Sequence, residues 1–295
     1  MMNFVEVKFP GLGIDLNVSP VAFSIGTLEV YWYGILIAMA IVLAVVLAVK
    51  HSKELNFPEG LVYDTILMII PCAIIGARLY FVICNWDYYS KDLKTIFDFR
   101  SGGLAIYGGV ILVFIGGLVM CRVRKIPFRE LADYCVVYLP LGQAIGRWGN
   151  FFNQECFGTN TNLPWGMTSS TIESYLNLNC PTLVSTMPVH PTFLYESLAD
   201  LAIFFVLLYV RKHSKIPFET SCIYFALYGT ARFFIEGIRT DSLYIPKTDI
   251  RASQLLSLVL IVAALLYIAY ARAKRIEKQG FPEKLYVEMT EEKKK

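Results

Sequence analysis

Gly146-Arg147-Trp148-Gly149-Asn150-Phe151-Phe152-Asn153-Gln154-Glu155-Cys156-Phe157-Gly158 follows directly on an apolar run, Tyr134 to Ile145. That run has the composition of a membrane helix, so an arginine, two asparagines and a glutamate arrive where polar groups are expensive to place. A plain helix end would account for glycine and asparagine, which stop helices, and for an aromatic near the interface. It does not call for Arg147, Asn150, Asn153 and Glu155 together. Gly146, Gly149 and Gly158 are expected to let the backbone leave helical geometry, while Asn150 and Asn153 bond freed backbone groups or a polar ligand.

Outward from this stretch the chain is strongly apolar. Of 295 residues 56% are hydrophobic and the mean hydropathy is +0.51, against roughly 45–50% apolar residues in a soluble domain. Apolar runs recur at Leu28 to Val49, Leu61 to Ile83, Leu104 to Cys121, Leu131 to Ile145, Phe193 to Val210, Ser221 to Ile235 and Ala252 to Tyr270. Several approach the roughly 20 residues that cross a bilayer; the fourth and sixth are shorter and carry polar residues. Open sheets do not survive in lipid and the alternation of a barrel is absent. The expectation is an all-α integral membrane protein: a seven-transmembrane-helix bundle over residues 1–272, with a small external subdomain at 148–190 and a charged cytoplasmic tail at 273–295.

The basic residues orient it. Of 27 lysines and arginines, seventeen fall on one side: Lys50 and Lys53, the group from Arg122 to Arg129, the group from Arg211 to Lys215, and the tail. Seven fall on the other, and the 148–190 segment holds none after Trp148. Cytoplasmic loops hold the basic excess, so the amino terminus and the long segment are placed outside and the tail inside. The net charge of +3 then reflects topology, and no basic, aromatic-interleaved patch points to nucleic acid. The first residues lack the basic region, apolar core and small-residue cleavage site of a removable signal peptide.

Five of the seven cysteines lie in or beside apolar runs and behave as small hydrophobes. Cys156 and Cys180 share the external segment, where a disulfide and two free thiols both stay open. There is no CxxC and no His/Cys cluster among three histidines, so neither a metal site nor a cofactor is expected.

Four further polar elements sit at helix ends. Gly76-Ala77-Arg78 lies in the second run, where Arg78 is either an interfacial anchor or a ligand for an anion. The third opens with Ser101-Gly102-Gly103 and Tyr107-Gly108-Gly109; the glycines serve either helix packing or lipid access. His190-Pro191 with Tyr195 and Glu196 forms a polar face entering the fifth. In the sixth, Arg232 and Glu236 are spaced i, i+4 and share a face with Tyr228, one turn earlier. Arg147 and Arg232 are cations at headgroup depth, and the planar guanidinium fork suits a phospholipid phosphate.

These residues together resemble the bacterial prolipoprotein diacylglyceryl transferases. The family pattern Gly-Arg-x-Gly-Asn-Phe-x-Asn-x-Glu-x-x-Gly is matched by Gly146, Arg147, Gly149, Asn150, Phe151, Asn153, Glu155 and Gly158, with Trp32-Tyr33-Gly34, Gly76-Ala77-Arg78, the His190 to Glu196 block and the Tyr228 to Arg239 block in order. The resemblance implies a multi-pass protein of the bacterial cytoplasmic membrane. Its partners would be phosphatidylglycerol, other membrane lipids, and prolipoprotein signal peptides bearing a lipobox cysteine; glycerol phosphate would leave as a thioether forms. It implies catalytic roles for Arg147, Arg232, Tyr107 and His190. Substrate-binding roles fall to Tyr33, Arg78, Asn150, Asn153, Glu155, Gly158, Tyr228, Glu236 and Arg239. Many members carry histidine where this chain has Tyr107, and tyrosine, with a reference pKa of about 10, is a poor base toward a thiol near about 8.5. The base is therefore left open.

A transporter lined by arginines is disfavoured, because no inverted repeat is present and the polar groups cluster at one depth. A non-catalytic lipid receptor would keep the arginines and differ only in lacking transfer.

Overall fold

The computed structural model describes residues 4–54, 57, 59–98 and 102–278. Four strands open the chain, β1 (Val5–Phe9), β2 (Ile14–Val18), β3 (Val21–Ile25) and β4 (Leu28–Tyr31). Helices α1 (Trp32–Glu54), α2 (Glu59–Cys84) and the single-turn α3 (Trp86–Tyr89) follow, then a 3-10 turn over Leu93–Phe97. After these come α4 (Ile106–Arg124), α5 (Phe128–Val136), α6 (Leu139–Asn153), β5 (Thr168–Ser169), α7 (Ser170–Asn179), α8 (Thr192–His213), α9 (Glu219–Ile238) and α10 (Ala252–Ala273). The chain is mostly helical, as its composition predicts. Among the described residues five helices, α1, α2, α4, α8 and α10, are long and apolar enough to cross a membrane.

The other two apolar runs take different forms. Leu131 to Ile145 is divided between α5 and α6, with a turn at Val137 and Tyr138. Pro140 sits in the first turn of α6, where a missing N–H costs nothing, so it starts a new helix more readily than it continues an old one. The run Ser221 to Ile235 lies inside α9, whose 20 residues include Glu219, Arg232 and Glu236. Most of the charged tail, residues 279–295, and also Arg100 and Ser101, lie outside the described residues.

The described residues fall into two compact units, one of residues 4–44 with Asp133–Lys278 and one of the described residues between Val45 and Ala132. In the second, α2 packs on α4 along a seam of small residues. A methyl group added at Gly76 would strike the Gly108 carbonyl; one at Gly109 would lie 2.9 Å from the Ala73 carbonyl oxygen, and one at Gly116 2.8 Å from Met68 Sδ. The glycines after Tyr107 thus serve close helix packing.

In the first unit α6 packs on α8, α8 on α9 and α9 on α10. β1 pairs antiparallel with β2 and, through Val7 opposite Ser169 and Lys8 opposite Thr168, with β5. Val7, Val18, Phe151, Phe157, Met167, Ile172, Leu176, Val189 and Phe193 make one buried cluster. Residues of the 148–190 segment therefore share a buried core to which the amino-terminal hairpin contributes. Ser169 caps α7 by accepting from the Ile172 N–H at 3.2 Å and donates to Gln154 Oε1 at 2.9 Å, which fixes this core to the end of α6.

Candidate active site

α6 does not leave helical geometry at its glycines. It runs on to Asn153 and ends with Gln154 in the left-handed region at φ 53°. Gly146 and Gly149 instead admit α1: a methyl group at Gly149 would overlap the Tyr33 ring, and one at Gly146 would touch Ile37 at 3.4 Å. Tyr33 is thereby laid against the turn of α6 that carries Arg147 and Asn150.

From that turn a polar network spreads across three helices. The Arg147 guanidinium donates through Nη2 to Glu196 Oε1 on α8, and through Nη1 to Asn150 Oδ1 at 3.3 Å. Asn150 and Asn153 both donate to Glu155 Oε1, at 2.9 and 3.1 Å. From α9, Arg232 Nη1 donates to Glu196 Oε2 at 3.0 Å and Nη2 pairs with Glu236 at 2.5 Å, as the i, i+4 spacing predicts. The Tyr228 hydroxyl lies 3.4 Å from Glu196 Oε1, and its ring stacks on Tyr224, whose hydroxyl donates to Gln143. Glu196 and Glu236 are buried, while the side chains of Arg147 and Arg232 keep 20% and 15% of their surface exposed. The carboxylates are thus buried, and the cations they hold remain partly exposed.

A second layer fixes α9 and its exit. Arg251 Nη1 donates to the Glu236 carbonyl, and Gln254 donates to that of Phe233 at 3.0 Å. Arg239 binds Asp241 with a two-pronged contact at 2.9 and 2.8 Å. Burial alone would raise the Asp241 carboxyl, but those bonds and the guanidinium charge outweigh it and hold the group below its ordinary value. The strand-like segment at Gly158 bridges to Arg239, and the Gly158 N–H donates to the His190 carbonyl at 2.9 Å. An added methyl at Gly158 would sit 2.8 Å from His190 Cβ and 3.0 Å from the Ile238 carbonyl oxygen, so only glycine lets these segments meet.

Arg78 and Tyr107 belong to the other unit. Arg78 is buried, and all five of its N–H groups are engaged by carbonyls: Nε by Ile96, Nη1 by Gly102 and Gly103, Nη2 by Thr95 and Asp98. The sequence left open an interfacial anchor or an anion ligand, and these bonds leave no donor for an anion. Instead Arg78 gathers the segment ahead of α4, where Gly102 and Gly103 take φ of 80° and 79°. Tyr107 stands in the first turn of α4 at 54% exposure.

Two residues of the site were given no role from the sequence, although Glu196 stands on the polar face read there at the entry to the fifth run. Glu196 stands at the centre, and a glutamate in an otherwise apolar helix, with no basic residue one turn away, was itself a signal that a cation must come from elsewhere. Asp200, one turn further along α8, is 0% exposed, and neither carboxyl oxygen has a hydrogen-bond partner among the described residues. Among those residues no group of three His, Cys, Asp or Glu side chains is placed to hold a metal ion.

The family model of the prolipoprotein diacylglyceryl transferases matches residues 20–270. The chain belongs to this family. The phosphatidylglycerol–prolipoprotein diacylglyceryl transferase of Finegoldia magna is 46% identical over 254 residues, covering 85% of this chain and 96% of the relative. Those of Clostridioides difficile and Ligilactobacillus salivarius are 40% and 42% identical, over 86% and 92% of this chain and 96% of each relative.

Within this diacylglyceryl transferase family member, the cysteine nearest the motif is unsuited to act as a nucleophile. Cys156 is a free thiol pushed up to about 11, chiefly by burial, with Arg239 and Arg147 opposing and Asp241 and Glu155 adding to the rise. Cys180 is free as well, and burial also raises its thiol.

Proposed function

We propose that this protein transfers the diacylglyceryl group of phosphatidylglycerol to the thiol of a lipobox cysteine in a prolipoprotein signal peptide, in the bacterial cytoplasmic membrane, as the first step of lipoprotein maturation. One observation supports it above the others: a buried carboxylate, Glu196, binds both Arg147 and Arg232, and each arginine keeps part of its side chain exposed. The names of the relatives support phosphatidylglycerol as the lipid that we set against this pair. With α6 and α9 added to the five long apolar helices, the membrane domain has seven spans, the amino terminus outside.

The lipid phosphate lies against the two guanidiniums. The thiol sulfur attacks the diacylglycerol carbon bound to the phosphate oxygen; the carbon–sulfur bond forms as the carbon–oxygen bond breaks, and its electron pair leaves on the oxygen of glycerol phosphate. The proton lost by the thiol balances the charge gained by that oxygen. Arg147 and Arg232 stabilise this charge as it grows, which fixed donors in a dry site do better than water. Asn150, Asn153 and Glu155 keep Arg147 in place. Tyr33, Gly158, Tyr228, Glu236 and Arg239 shape the walls against which the headgroup rests. Tyr107 donates a hydrogen bond to headgroup or thiol, and Arg78 holds the segment that leads to it.

Purified protein in detergent, given phosphatidylglycerol and a synthetic lipobox peptide, should yield the thioether-linked peptide and glycerol phosphate, and a peptide with serine for cysteine should yield neither. Lipid binding without transfer would sink this reading in favour of a lipid receptor.

A further inference from the structure

Three side chains from the external segment and the start of α8 form a short chain of hydrogen bonds outside the arginine network. Trp165 Nε1 donates to the Tyr195 hydroxyl oxygen at 2.8 Å, and that same oxygen lies 3.1 Å from His190 Nδ1. An indole N–H is a donor only, so Tyr195 accepts from Trp165 and still has its own proton to give. No third partner of Tyr195 is present among the described residues, and giving that proton to His190 Nδ1 satisfies both groups at once. An imidazole that accepts at Nδ1 carries its hydrogen on Nε2. Burial lowers the pKa of His190 and keeps the ring neutral, as this arrangement requires.

The ring is also fixed from its backbone. The His190 carbonyl accepts from Gly158 at 2.9 Å and its N–H donates to the Thr159 carbonyl at 3.0 Å. It therefore stands beside the last glycine of the motif, half-buried, with Nε2 lacking a partner among the described residues.

We propose that His190 serves the transfer as an Nε2–H hydrogen-bond donor to a substrate oxygen, with Tyr195 and Trp165 as positioning residues that hold its tautomer, and that it does not accept the thiol proton. Its one lone pair suited to a proton is already engaged by Tyr195, and its other nitrogen carries hydrogen. The oxygen belongs either to the lipid headgroup or to a carbonyl of the peptide, since both present an acceptor to the same donor. The role in transfer rests on the function proposed above; the tautomer does not.

The chain has three histidines, so protein labelled with 15N-histidine and carrying His51→Gln and His213→Gln leaves one imidazole to observe. Long-range nitrogen–proton spectra should show a bare Nδ1 and a protonated Nε2 at neutral pH, and Tyr195→Phe should mix the two tautomers. A protonated Nδ1 in the parent would overturn the proposal whatever the enzyme does. In the transfer assay, His190→Gln places an amide N–H near the position of Nε2 and should stay within about threefold of the parent, while His190→Ala should fall by at least about tenfold, the loss expected for a hydrogen bond to a charged or strongly polar oxygen. A rise in KM for phosphatidylglycerol in His190→Ala assigns the oxygen to the headgroup, and a rise for the peptide assigns it to the carbonyl. If His190→Gln is as impaired as His190→Ala and the alkaline limb of the pH profile vanishes in both, His190 is the base and the proposal is wrong. Absence of transfer in the parent, with the tautomer as described, would count against the proposed function and leave the hydrogen-bond chain standing.

Discussion

Arg147 on α6 and Arg232 on α9 bind opposite oxygens of one carboxylate, Glu196 on α8. Neither arginine has to find its position by its own rotamer preference, because the shared anion fixes both. Removing one partner of a buried ion pair typically costs about 3–5 kcal/mol, chiefly because the other charge is left uncompensated. Here one carboxylate is shared by two arginines, and Glu236 adds a second partner for Arg232.

Glu196→Gln should therefore lower thermal stability in detergent and abolish most transfer, with Arg147 and Arg232 repelling each other across a neutral amide. Asp200→Asn should be far milder, because a buried carboxyl without a partner is costly as an anion and an amide carries no charge. Comparing the melting temperatures of the two variants checks this; equal destabilisation would show that Asp200 carries a charge the network depends on.

Arg147→Lys and Arg232→Lys each keep the charge and lose the fork. Each should reduce transfer by at least about tenfold, the equivalent of roughly 1.4 kcal/mol of transition-state stabilisation. Full activity in both would contradict a two-pronged grip on phosphate.

Gly149→Ala should displace the Tyr33 ring, since the new methyl occupies the ring's place. Transfer should drop by about tenfold or more while α6 itself, a helix that alanine favours, stays intact. Circular dichroism alongside the transfer assay separates the two effects, and an unimpaired variant would mean that the approach of Tyr33 to α6 is dispensable.

Tyr107→Phe should slow transfer without moving the alkaline side of its pH profile, because the hydroxyl serves as a hydrogen-bond donor and not as the titrating base. Tyr107→His should stay active. Rates of both variants across pH decide the matter, and a titrating limb that disappears in Tyr107→Phe would make Tyr107 the base.

Reporter fusions should place Thr168 and Thr240 outside and Lys125 and Lys212 inside, following the bias of basic residues. A cytoplasmic signal at Thr168 would invert the topology on which the placement of the site rests.

Composition and local spacing settled the class of this protein without a structure. Backbone groups in hydrocarbon must be satisfied within the segment that carries them, so long apolar runs without alternation can only be helices. The pairing of Arg232 with Glu236 was legible for a similar reason: the helical period alone brings residues four apart to one face. The motif marked Arg147, Asn150, Asn153 and Glu155 because polar residues beside apolar runs are costly enough to need a function. What the tertiary structure decided was every partner lying on another element. Glu196 joins two arginines only because α6, α8 and α9 meet on those faces, and Val7 enters the core shared with the 148–190 segment only because β1 pairs with β5. Arg78 engages five carbonyls because the chain between α3 and α4 closes over it. The glycines of α6 looked like places for a helix to end, and they proved to be places where α1 comes close. A residue's own type and its near neighbours set its local conformation and its cost of burial, but the group that offsets that cost is chosen by which surfaces the whole chain brings together.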